Sequence, residues 1–299
     1  MDYVPLIPGS PPSSRLGFGC GSVMGRVGRA QSLRAIGAAL DAGVTHFDVA
    51  RLYGYGEAEA LVGEALRGKR DRIVIASKFG LNPPRSAGVL RALKPIAQQL
   101  AAKVPGMRTV LRSLVGGAAQ SADRFSVASA EASLGQSLAA LKTDYLDILF
   151  LHDCAAEDLS DELAAYLDSQ VAAGKIRGYG VATDIDAVVP LQRAYGNRLV
   201  YQFANSLVAR NAERLAGAGC RIVAHSPFFG AEQLRAEGQQ RDVHDAMLAH
   251  ALAAPGVSVV LCSMLDEAHL RANLAVAERV HGAGDGIGKG AAPVTVAAK

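Results

Sequence analysis

Residues 45–80 read THFDVARLYGYGEAEALVGEALRGKRDRIVIASKFG, and this stretch decides the fold. A short apolar strand signal ends on Asp48. Tyr53 follows five residues later, ahead of the turn Gly54-Tyr55-Gly56. Apolar residues at Leu61, Val62, Ala65 and Leu66 then keep helical spacing. A second strand, Ile73-Val74-Ile75-Ala76, delivers Lys78 at its far end. An acid, a phenol and an amine therefore sit at, or just beyond, the C-terminal ends of strands. In parallel strands those ends face one crevice, where ligands bind. A cation beside a phenol stabilises the phenolate and makes the group a better proton donor near neutral pH.

The rhythm of this stretch repeats outward in both directions. Strand signals fall at 15–21, 44–49, 72–77, 144–151, 176–182, 199–203, 221–225 and 257–262. Helical patterns fall at 32–42, 57–67, 163–173, 185–195, 209–218, 242–253 and 267–280. The strands are continuous apolar runs without polar alternation, as in a parallel sheet covered by helices on both sides. With the third strand's helix expected beyond an insertion, eight strand-then-helix units predict a single-domain (β/α)8 TIM barrel over residues 15–281, with a doubly wound sheet as the competing fold. Residues 1–14 hold four prolines and read as an irregular lead-in that covers one end of the fold. Residues 81–125 form a long insertion after the third strand, with a basic amphipathic piece at 89–103. Leaving the strand that bears Lys78, it is expected to overhang the crevice as a lid or substrate wall. Residues 282–299 are rich in Gly and Ala and are expected to be disordered. The GIGKG run at 286–290 fails as a phosphate loop, because Ala283 stands at the first glycine and Gly290 replaces the required hydroxyl residue.

Composition narrows the function. The chain has 299 residues, half of them apolar, and a formal net charge of +3. It carries no dense basic run and no apolar run of about 20 residues, so neither a nucleic-acid nor a membrane partner is expected. The N-terminus lacks the pattern of a secretory signal. The four cysteines are scattered singly, which fits reduced thiols in a cytoplasmic protein and offers no metal-ligand spacing. A fourth polar residue, His152, directly follows the strand DILFL. Asp48, Tyr53, Lys78 and His152 thus come from three successive strand ends, and a barrel would gather them at one rim.

The segments FDVARLYGYGEAE (47–59), IASKFG (75–80) and YLDILFLHD (145–153) resemble the aldo-keto reductase superfamily. So do GKIRGYGVAT (174–183), YQFANSL (201–207), AHSPFFG (224–230) and VVLCSMLDEAHLRANLAVAE (259–278), in the family's order. LHDC at 151–154 and the insertion look most like the bacterial sugar and aldose dehydrogenase branch. The resemblance implies hydride transfer between a nicotinamide cofactor and a small aldehyde, ketone or sugar, with no metal. It makes Tyr53 the general acid or base, Lys78 and Asp48 its electrostatic support, and His152 the group that orients the substrate oxygen. It assigns Gln202 to the nicotinamide carboxamide, Ser226, Pro227 and Phe228 to the pyrophosphate, and Ser263, Arg271 and Asn273 to the adenosine end. Gly21, Asp48, Thr183 and His225 complete the expected cofactor contacts.

Three positions depart from the family pattern. Ala182-Thr183 replace a Ser-Asn pair, His225 replaces the aromatic that stacks on nicotinamide, and Met264-Leu265-Asp266 stand where a basic or hydroxyl residue meets the 2′-phosphate. NADP(H) is expected over NAD(H) by a small margin. A monomer or weak homo-oligomer acting on a small-molecule carbonyl or alcohol is the expected state. Two other readings stay open: a non-catalytic cofactor-binding regulator of the same fold, and a lyase using Lys78 as a Schiff-base nucleophile.

Overall fold

A computed structural model describes residues 1–83, 123–236 and 242–284. Eight parallel strands close into a barrel: β3 (Leu16–Gly19), β4 (His46–Asp48), β5 (Val74–Phe79), β6 (Ile148–His152), β7 (Tyr179–Ala182), β8 (Val200–Ala204), β9 (Arg221–His225) and β10 (Val257–Cys262). The ring shuts where β10 pairs with β3, Val260 opposite Leu16 and Cys262 opposite Phe18. β9 and β10 keep the expected bounds, β5 and β8 keep the expected lengths shifted by one or two residues, and β3, β4, β6 and β7 are shorter than the apolar runs that announced them.

Helices cover the outside: α1 (Arg29–Asp41), α2 (Ala58–Ala65), α3 (Val127–Leu141), α4 (Asp161–Ala172), α5 (Ile185–Tyr195), α6 (Ala231–Ala236), α7 (Val243–Ala253) and α8 (Glu267–Gly284). Ser126 starts α3 and Ser160 starts α4, each side chain accepting a backbone N–H of the first turn. The main core lies between strands and helices, built on residues such as Ile36, Phe47, Val62, Ile75, Leu149, Leu167 and Leu248. A second core fills the barrel itself with Val74, Ala76, Ile148, Phe150, Val200, Val223 and Val259. One close approach depends on a missing side chain. A Cβ on Gly63 would lie 2.3 Å from the Leu141 carbonyl oxygen, so α2 and α3 cross at backbone contact.

Two expectations change. The lead-in is not wholly irregular: β1 (Tyr3–Val4) pairs antiparallel with β2 (Ser13–Ser14). Between them Leu6 and Ile7 are buried in the barrel core and stopper its lower end. The helix expected at 209–218 is only a 3-10 turn over Asn211–Leu215. Local side chains hold that loop in another shape. Ser206 Oγ accepts the Val208 and Ala209 N–H groups, Asn205 Oδ1 accepts that of Ala212, and Gly217 and Gly219 carry positive φ. Most of the insertion (84–122) and the tail beyond 284 lie outside the described residues, as does the amphipathic piece at 89–103. Among the described residues no helix is long and apolar enough to cross a membrane.

Candidate active site

Every barrel strand contributes a residue, at or near its C-terminal end and for β8 at its centre, to one cavity of about 570 Å³. The walls include Gly19, Asp48, Lys78, His152, Ala182, Gln202, His225 and Cys262, one from each strand in turn. Tyr53, from the loop after β4, and Ser226, Pro227, Phe228 and Phe229, from the loop after β9, also line it, with Gly21, Ser22, Leu261 and Ser263. Parallel register explains the convergence: Asp48 lies opposite Gly19, His152 opposite Ala182, and Ala182 opposite Gln202.

Tyr53 is aimed by its own turn. Gly54 and Tyr55 both hold left-handed backbone, φ 58°. A Cβ at Gly54 would meet Met24 Cβ at 2.6 Å and the Val23 carbonyl at 2.8 Å. Glycine there serves both conformation and space, and the turn returns the chain to α2 with the phenol facing inward. The Tyr53 ring meets the His152 ring edge-on, centroids 6.0 Å apart at 89°. Lys78 Nζ stands 5.3 Å from the Tyr53 ring centre.

Lys78 and Asp48 form a buried ion pair, 2% and 3% exposed. Lys78 also donates to the Val49 carbonyl at 3.2 Å, and Gln202 Nε2 donates to Asp48 Oδ2 at 2.7 Å. Burial presses the lysine toward its neutral form, but Asp48 and then Tyr53 outweigh it and hold the pKa above the ordinary value. Lys78 is thus an ammonium, which does not suit a Schiff-base nucleophile. Burial also acts most strongly on Tyr53 and raises its pKa. Lys78 pulls the other way, as expected from the sequence, but the net direction is upward. The phenol is therefore neutral at physiological pH. Burial, with help from the Lys78 charge, pushes His152 down to about 3, so its imidazole is neutral at physiological pH. His152 Nδ1 is buried without a partner among the described residues. Burial lowers the pKa of His225 too, and its Nδ1 lies 3.0 Å from Ser226 Oγ.

The remaining expected residues divide. Gly21 lies against Tyr53, and Ser263 lines the cavity. Thr183 gives its hydroxyl to the Cys154 carbonyl at 2.6 Å. Asn273 is 2% exposed and faces His244 on α7, while Arg271 is exposed and paired with Glu267 at 3.3 Å. Arg271 lines a second cavity of about 380 Å³ with Gln31, Arg34, Met264 and Asp266 at the start of α8. Sequence reasoning missed Arg34, Ser22, Leu261 and Cys262. The two β10 residues were visible as strand-end positions, but no chemistry singled them out. Among the described residues no group of three His, Cys, Asp or Glu is placed to hold a metal ion.

Known proteins give the arrangement its family. YhdN, an aldo-keto reductase of Bacillus subtilis, is 28% identical over 188 residues, 61% of this chain and 47% of that protein. A 6-dehydroglucose reductase of Novosphingobium aromaticivorans is 30% identical over 182 residues, 57% of this chain and 47% of that one. The chain thus spans about half the length of the curated relatives it matches. The holo form of an aldo-keto reductase from Bacillus halodurans superimposes with TM-score 0.70 over 93% of this chain and 91% of its own, at 22% identity. An aldo-keto reductase of Klebsiella pneumoniae solved in complex with NADPH does so with TM-score 0.62 over 89% and 86%, at 24% identity. These structures share the barrel. The model of the aldo/keto reductase family matches residues 15–230, from β3 through the loop after β9. With well over half of its length matched and the barrel closed in the same way, the chain belongs to the aldo/keto reductase family.

Proposed function

We propose that this chain is a nicotinamide-dependent oxidoreductase that interconverts a small aldehyde, ketone or sugar carbonyl and its alcohol. One observation carries the reading: Asp48, Tyr53, Lys78 and His152 meet on the wall of one cavity at the C-terminal rim of the barrel. The residues present fit such a cofactor. Gln202 Nε2 is committed to Asp48, which leaves its amide oxygen for a carboxamide. His225 offers a planar ring, and the loop Ser226–Phe229 offers backbone and hydroxyl groups to a pyrophosphate. The second cavity, with Arg34 and Arg271, suits an adenosine phosphate, so we place NADP(H) ahead of NAD(H). Asp266 and Glu267 on the same wall oppose the extra phosphate and keep that margin small.

The bound cofactor supplies or accepts the hydride. The chain supplies position and protons. In reduction the neutral Tyr53 hydroxyl donates its proton to the forming alkoxide. The Lys78 ammonium stabilises the phenolate left behind, and Asp48 holds that ammonium in place and balances its charge. His152, kept neutral, offers a ring N–H to the substrate oxygen and fixes its direction of approach. Oxidation runs the same proton path in reverse, with Tyr53 accepting.

The test is fluorescence titration of the wild type and Arg271→Ala with NADPH and with NADH, followed by turnover on a panel of aldehydes, ketones and sugars. Tight NADPH binding, weakened in Arg271→Ala, with turnover of at least one carbonyl, supports the proposal. Binding of neither cofactor refutes it. Binding without turnover across the panel favours a non-catalytic regulator.

A further inference from the structure

His244 is the second residue of α7, yet it reaches two other elements, the loop after β9 and α8. Its ring lies flat on Phe228, centroids 4.6 Å apart at 17°. Its Nε2 is 2.9 Å from Oδ1 of Asn273 on α8, within hydrogen-bond distance. Its Nδ1 is 3.2 Å from Oδ1 of Asp245, whose other oxygen is bonded by Arg279 of α8. Phe228 belongs to the loop that walls the cavity, and it packs on a small apolar cluster of Leu234, Val243 and Met247. That loop is short and fixed at both ends by left-handed backbone, φ 55° at Ser226 and 86° at Gly230. Its internal hydrogen bonds run from Phe229 N–H to Ser226 O at 3.0 Å and from Ala231 N–H to Phe228 O at 3.2 Å. The His244 ring is the group through which this loop, α7 and the buried Asn273 meet.

We infer that His244 is a positioning residue for the cofactor, clasping the loop Ser226–Gly230 through Phe228 while holding the Asn273 amide, so that this wall is set before any ligand enters. The inference rests on the proposed nicotinamide site for its purpose, but the clasp itself is a property of the cofactor-free protein. Stacking fixes where Phe228 stands, and hence where the neighbouring backbone groups point. The Asn273 contact ties the same imidazole to α8, whose first turn lines the second cavity. Preordering both regions removes an entropic cost that binding would otherwise carry.

The experiment compares wild type, His244→Ala and His244→Phe by amide hydrogen exchange without cofactor, and by fluorescence titration with NADPH. In His244→Ala, exchange at the Phe229 and Ala231 amides should quicken about tenfold, the factor expected for losing the ring stack that holds this loop. NADPH affinity should fall by a similar factor. His244→Phe keeps a ring for Phe228 and should restore protection of both amides. Its NADPH affinity should lie between the other two, because the Asn273 contact stays broken. Unchanged exchange in a folded His244→Ala protein overturns the clasp. Should His244→Ala not fold, loss of loop protection in His244→Phe overturns it instead. Quickened exchange with no NADPH binding in the wild type upholds the clasp and sinks the proposed function alone.

Discussion

Replacing Asp48 with Asn removes a charge and almost no volume, which isolates the electrostatics of the site. Lys78 would keep its ammonium with only neutral neighbours, the amide oxygen at position 48, the Val49 carbonyl at 3.2 Å and the Tyr53 phenol, and with no compensating charge. Both members of the pair are nearly sealed from water, 2% and 3% exposed. Breaking one side of a buried pair costs roughly 3–5 kcal/mol, because the other charge is left uncompensated. In a domain of this size that lowers Tm by on the order of 10 °C. The sign of the pH dependence follows from the stranded lysine. Without Asp48 its folded pKa drops below the unfolded value, so the unfolded state binds more protons and the deficit shrinks as pH rises toward about 10. Thermal denaturation of wild type, Asp48→Asn, Lys78→Met and the double variant at pH 7 measures the effect. The double variant carries no stranded charge and should regain most of the loss. A Tm for Asp48→Asn within about 2 °C of wild type, roughly 1 kcal/mol or less, refutes the reasoning. So does a double variant no more stable than the single one.

Tyr53→Phe should lower turnover by roughly 10²–10⁴-fold while leaving NADPH affinity intact, the pattern for loss of a proton donor; steady-state kinetics beside a binding titration decides, and near-normal turnover would remove Tyr53 from the mechanism. Gly63→Ala forces a Cβ to within 2.3 Å of the Leu141 carbonyl. It should cost about 2–3 kcal/mol in urea unfolding as α2 and α3 move apart, and an unchanged midpoint would contradict the close crossing. His46 is fully buried near the barrel floor, where burial lowers its pKa to about 4. The unfolded chain binds that proton from about pH 6.5, so this site's contribution, about 3 kcal/mol, is lost as pH falls from 6.5 toward 4. Urea midpoints across that window should fall less steeply for His46→Gln, and parallel slopes would show that His46 is not responsible.

The meeting of Asp48, Tyr53, Lys78 and His152 at one cavity was legible because strand ends are legible. Asp48, Lys78 and His152 each close an apolar run, and a parallel barrel has only one rim to which such ends can go. Tyr53 could be read from the glycines that follow it, since Gly54 must both turn left and leave room for Met24. What escaped reading depends on packing or on competition between hydrogen bonds. Nothing local marks Leu6 and Ile7 as a stopper, because their partners Val74, Ile148 and Val200 arrive from distant strands. The 209–218 stretch has helical composition, yet Asn205 and Ser206 offer its backbone nearer partners. The direction of the Tyr53 shift also misled, since a sequence shows the cation beside a phenol but not the depth at which both lie. Asn273 was assigned by its motif, and only the fold reveals that His244 faces its amide.

The seam between β10 and β3 bears on how the chain is made. Leu16 leaves the ribosome some 240 residues before Val260, the residue it lies opposite in the finished ring. During that interval β3 can pair with β4 on one side only, and its other edge stays open. An open strand edge is a template for foreign strands, and contacts this far apart in sequence form slowly. The nascent protein is therefore exposed to misassociation until β10 has been made, and a slowed or stalled synthesis upstream of Val257 should yield aggregates rather than a smaller stable barrel.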